Sequence, residues 1–179
     1  DPADPTPTLG GNLLMHILYG PGPRDQRPIE QRADVLSYTT APLTRDTTVI
    51  GPLMMQLWAA SDAPDTDFVA RLIDVHPDGF AQNLADGIIR ARFRNGTQAA
   101  PLEPGQPYAF TMDLWATANV FQAGHCIRVD IASASFPRWD RNLNTGEDLA
   151  NGTAMRPAHQ TILHDAAHPS HIVLPVVPE

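Results

Sequence analysis

The chain has no lysine, a single cysteine and no grouped run of positive charge. Each absence removes a class of function. Arginine supplies all 12 strong bases against 20 acidic residues, leaving a net charge of -8. Nucleic acids and anionic membranes are bound by clustered cations that release counterions, so neither is an expected partner. Cys126 has nothing to pair with inside the chain, and its place in an apolar alternating run reads as a core thiol. No apolar stretch reaches the roughly 18 residues that suggest a bilayer span, and no signal peptide or lipidation motif is present. The cytoplasm is favoured over secretion as the compartment, and the oligomeric state is left open. The first residues, DPADP, lack a methionine, which points to a piece of something longer.

What the chain does have is turn formers. Its 18 prolines and 12 glycines among 179 residues leave little room for long helices and lean the reading toward β structure. Prolines at 2, 5, 7, 21, 23 and 28 forbid a continuous helix in residues 1–34, which read as an extended arm bearing one short apolar patch, NLLMHILYG. From residue 35 onward, short β-rich runs alternate with turns. Strands are expected over 35–39, 49–59, 67–75, 87–93, 108–117, 125–134, 160–164 and 171–176. Phe68, Ala70 and Leu72 share one face, as do Tyr108, Phe110, Met112 and Leu114. Strands at this spacing, with no helix of ordinary length, predict an all-β jelly-roll sandwich over residues 35–179.

Candidate chemistry is sparse. No GxSxG nucleophile turn is present. Ser170, His171 and Asp165 have the composition of a triad, but neighbours on a strand point to opposite faces. The histidines at 159, 164, 168 and 171 resemble a metal cluster in composition, yet Pro157 and Pro169 break any helix that would stack them, so no metal ligand is assigned. DAPDTD, residues 62–67, has three carboxylates without the glycine and glutamate of a calcium loop, and reads as a turn. Trp58 and Trp115 lie within strands and are expected in the core, whereas Trp139 lies in the loop SFPRWDRNLNTG, residues 135–146. That loop's mix of Phe136, Arg138, Trp139 and Asp140 has the composition of an interface anchor or of a loop folded onto its own domain. An independent carbohydrate-binding module, built around Trp139, is the rival reading.

Several long motifs run in order along the chain: DPADPTPTLGG, DQRPIEQRADVLSYTTAPL, SDAPDTDFVARLIDVHPDG, LWATANVFQAGHCIRVDIASASFPRWDRNLNTG and HPSHIVLP. Together they resemble the C-terminal domain of the X-Pro dipeptidyl-peptidase and cocaine esterase (CocE/NonD) family of serine hydrolases. The resemblance implies a galactose-binding-like jelly-roll beside an α/β-hydrolase domain, which carries the Ser-His-Asp triad, and a helical cap domain. Those two domains of the same parent chain are the expected partners. None of the triad motifs has a counterpart here, so no catalytic residue is assigned, no cofactor is expected, and the chain alone is expected to be inert. In such a parent, the arm would link to the absent hydrolase domain, with Leu13, Leu14 and Met15 contributing to the wall of the substrate pocket. Phe136, Arg138 and Trp139 would make the interdomain contact.

Overall fold

The computed structural model describes residues 1–12, 20–148 and 150–178. Eight strands account for most of its regular structure: β1 (Leu36–Thr39), β2 (Thr47–Ser61), β3 (Asp67–Val75), β4 (Ala81–Arg90), β5 (Tyr108–Phe121), β6 (Cys126–Ala132), β7 (Gln160–Leu163) and β8 (His171–Val173). All pair antiparallel. One sheet has the order β1-β6-β3-β4. The other has the order β5-β2-β7, with β8 pairing to β2 further along the same strand. The chain changes layer at β1–β2, β2–β3, β4–β5, β5–β6 and β6–β7, so the expected two-sheet sandwich is observed. Seven of the eight expected strands start within two residues of the observed ones. The exception, β4, begins six residues earlier than expected and ends in a short 3₁₀ turn, Ala91–Phe93.

Between the layers lie Val49, Leu53, Met55 and Leu57 from β2, Phe68, Ala70 and Leu72 from β3, and Phe110, Met112, Leu114 and Phe121 from β5. Each large side chain fully buried here contributes roughly 1.5–3 kcal/mol. Alternation in β5 changes phase partway. Leu114 and Trp115 together oppose Leu53, because the register runs from Met54↔Asp113 to Pro52↔Ala116. Trp115 sits in this bulge at φ 65° with its ring 65% exposed, outward as alternation from inward Leu114 implies, so the expectation that Trp115 lies in the core is corrected. Beyond it the inward positions shift by one residue, and Phe121 is inward in place of Val120.

β3 is buried along its whole length, on both faces. Its inner face meets the other sheet. Its outer face lies under the N-terminal arm, whose Ile29 and Leu9 pack with Val35 on Ala132 of the neighbouring strand. Among its described residues the arm contains one helical turn, α1 (Arg27–Glu30), with Pro28 in its first turn, where a missing N–H leaves no hydrogen bond unmade. Gln26 fastens the arm twice: its backbone N–H donates to the Ala81 carbonyl at 2.8 Å and its side-chain amide to the Leu9 carbonyl at 2.9 Å.

Candidate functional site

The loop 135–146 is bonded to its own domain at almost every polar residue. The Asn142 amide donates to Oδ2 of Asp65 and to Oδ1 of Asp67, both at 2.9 Å. Arg90 forks onto Asp67 with two bonds of 2.9 Å and reaches Asp140 at 3.2 Å. Burial pushes the Asp67 carboxyl above its ordinary value, against the pull of Arg90 and Asn142. The three carboxylates of DAPDTD are therefore a clamp: Asp62 accepts from the His159 backbone N–H, Asp65 from that of Arg92, and Asp67 holds Arg90. At its start the loop joins the arm. Thr8 N–H donates to the Phe136 carbonyl at 2.8 Å and Phe136 N–H to that of Thr6 at 3.0 Å.

Of the proposed contact residues, Arg138 is half-buried against its own domain, its Nη1 lying 2.5 and 2.6 Å from the two Asp86 oxygens. Its guanidinium also stacks over the Trp139 ring at 4.4 Å. Trp139 is half-buried, whereas Phe136 is 40% exposed. Arg138 and Asp86 border a groove of about 400 Å3 whose rim includes Trp115, Leu84, Gly11 and Pro21. A reciprocal backbone pair joins Gly11 to Gly22 beside this groove, at 2.8 and 2.9 Å. Leu13, Leu14 and Met15 lie outside the described residues. The structure thus brings Arg138 and Trp115 to one groove at the foot of the arm. The sequence reading named the first of these and placed the second in the core.

Nucleophilic and metal candidates separate cleanly. Ser170 Oγ donates to the Leu163 carbonyl at 2.5 Å and accepts from the Trp58 backbone N–H at 2.8 Å, so it ties β7, β2 and β8 together and does not address a histidine. His168 pairs with Asp165, His171 with the Pro169 carbonyl, and His164 packs edge-on against Tyr38. Trp58 is half-buried, its ring edge-on to His168 at 5.1 Å. The tail histidines do not converge. Among the described residues, the group that does is Asp74, His76 and His125. The sequence reading passed over it because its members come from separate strands; the alternation in DVH and the start of β6 at GHC were the available signals.

The family model for the X-Pro dipeptidyl-peptidase C-terminal non-catalytic domain matches residues 3–173. The chain is 48% identical to cocaine esterase from Rhodococcus sp. (strain MB1 Bresler) over 99% of its own length and 31% of that protein's. Among solved structures, an aminopeptidase from a marine sediment Thaumarchaeota archaeon superposes with a TM-score of 0.92 at 29% identity, covering 99% of this chain and 32% of the other. An α-amino acid ester hydrolase superposes with a TM-score of 0.88 at 30% identity, covering 99% and 31%. The chain therefore spans about a third of the length of these relatives. Among the described residues, no helix is long and apolar enough to cross a membrane.

Proposed function

Because the chain belongs to the X-Pro dipeptidyl-peptidase C-terminal non-catalytic domain family, we propose that it serves a serine acyl hydrolase, an acyl esterase or X-Pro dipeptidyl-peptidase, as an accessory sandwich without chemistry of its own. The observation that carries this reading is a full-length match to a non-catalytic family in a chain whose triad-like Ser170 spends its hydroxyl on backbone groups. Its partners are the α/β-hydrolase and cap domains of the same parent chain. In that parent the triad would attack an ester or amide carbonyl, and the sandwich would stabilise the assembly and shape the cleft entrance. Leu13, Leu14 and Met15 contribute apolar wall to that cleft.

Phe136, Arg138 and Trp139 make the interdomain contact, with Arg138 positioning the Trp139 ring and Asp86 holding Arg138. Trp115 joins Arg138 at the groove, where an exposed indole on a strained backbone is explained by a covering partner. The test is to express the hydrolase and cap portion of the parent separately and titrate it with this chain. Trp115→Ala and Trp139→Ala should each weaken association at least about tenfold, a loss on the hot-spot scale. Equal affinity for both variants and the unaltered chain would defeat the interface. In the parent, replacing Leu14 and Met15 by alanine should change the preference among acyl chain lengths, and unchanged kinetic constants would refute that role. A chromogenic ester should not be turned over by this chain alone.

A further inference from the structure

At one end of the sandwich, the register of β3 and β6 places three metal-binding side chains together. Val75 pairs with Cys126, so the residues one step beyond, His76 and His125, face each other across the strand ends. Asp74 lies on the same face as His76, two residues before it on β3. Its Oδ1 is 2.8 Å from Nδ1 of His125, and both side chains are buried. The rings of His76 and His125 lie 4.4 Å apart, tilted by 34°. One ligand atom from each of the three residues lies within 4.8 Å of the other two. Among the described residues, neither ring nitrogen of His76 has a hydrogen-bond partner, although Phe80 packs edge-on against the ring at 5.2 Å.

We propose that Asp74, His76 and His125 bind a divalent transition-metal ion, with zinc as the best match. Two imidazoles and one carboxylate are a borderline-soft set that suits zinc and its neighbours better than calcium or magnesium, which take oxygen ligands. Tetrahedral ligands about 2.0–2.1 Å from zinc stand roughly 3.3 Å from one another. Asp74 and His125 therefore need to part by only about half an ångström, and the half-buried His76 closes the third side by rotating about its side-chain torsions. Solvent at the half-exposed His76 edge supplies the fourth ligand. The backbone is already fixed on both sides: His76 N–H donates to Phe80, Gly79 N–H to His76, and His125 N–H to Gln122. Such an ion would staple the β3–β4 turn to the β5–β6 turn and stabilise the native state by mass action.

Titration calorimetry of the full chain with zinc chloride, after chelator treatment and dialysis, tests the site. One equivalent should bind with a dissociation constant in the micromolar range or below, and the melting temperature should rise by at least a few degrees at saturating zinc. His76→Phe keeps a ring against Phe80 and His125 but removes the nitrogens. That variant should melt like the unaltered chain in chelator, yet bind zinc at least about tenfold more weakly, the loss expected for a missing ligand. His76→Ala should behave in the same way. A double variant, His164→Ala with His171→Ala, should bind like the unaltered chain. Absence of saturable binding, unchanged affinity in both His76 variants, or loss of binding in the tail variant would overturn the proposal.

Discussion

Asp130 is a carboxylate held almost without donors. It lies on the outer face of β6 opposite Arg71, fully buried beneath the arm, and accepts one bond, from Ser37 Oγ at 2.6 Å. Its second oxygen has no partner among the described residues, and neither does Nη1 of Arg71. Burial pushes the Asp130 carboxyl up to about 6 and pulls the Arg71 guanidinium down, so desolvation outweighs the attraction between them. The native state therefore holds this proton more tightly than the unfolded chain, whose carboxyl titrates near its ordinary 3.8. As pH rises through the window between those values, unfolding gains, and above about 6 the contribution levels off. Asp130→Asn should remove that slope. Relative to the unaltered chain, the variant should gain on the order of 2 kcal/mol between about pH 4.5 and about pH 7 in urea melts. A difference that does not vary with pH would contradict the protonation account.

Among the elements, the 135–146 loop shows most clearly what spacing alone conceals. Its composition was legible as that of either an interface anchor or a loop folded onto its own domain, and the bonds of Asn142, Asp140 and Arg138 realise the second arrangement for the polar residues. Phe136 keeps its exposed ring. Asn142→Ala should cost about 1–3 kcal/mol, because both Asp65 and Asp67 are buried and each loses a donor. Thermal or urea unfolding measures the loss; a change below about 0.5 kcal/mol, the range of ordinary surface substitutions, would mean the clamp does not hold the loop. Strand identity in β3 and β5 was legible from alternation, since Phe68 to Leu72 and Phe110 to Leu114 do face the core. The outward ring of Trp115 follows from the same alternation, one step from inward Leu114, but the inward turn of Phe121 was not legible, because a bulge leaves the letters of a strand unchanged while moving every later residue to the other face.

At the scale of the molecule, the two sheets come close together where β4 passes β5 at Gly87. A Cβ added at Gly87 would stand 2.2 Å from the carbonyl oxygen of Asp113 and 3.0 Å from its carbon. Those atoms are backbone and cannot rotate aside, so Gly87→Ala would force the strands apart. The expected loss is about 1–3 kcal/mol, the usual range for overpacking, read from the urea midpoint. A midpoint equal to that of the unaltered chain would show that the layers can separate freely at this edge. The arm adds a third layer over β3, which explains why a strand that alternates on one face is buried on both. With that cover in place, the outer positions Val69 and Ile73 are as buried as the inner ones.

By itself the amino-acid sequence determined the class of the fold, the places of its strands and the resemblance to a hydrolase family's C-terminal domain. Those features are local: they are written in turn residues, in alternation along a few residues, and in motifs read in order. Which side chains come together was decided by the tertiary structure. Cross-strand register joined Asp74, His76 and His125 from strands about fifty positions apart, and a bulge turned Phe121 inward in place of Val120. The physical reason is that pairing register and the stacking of layers depend on every contact in the sandwich at once, whereas the propensity of a segment depends mainly on its own residues.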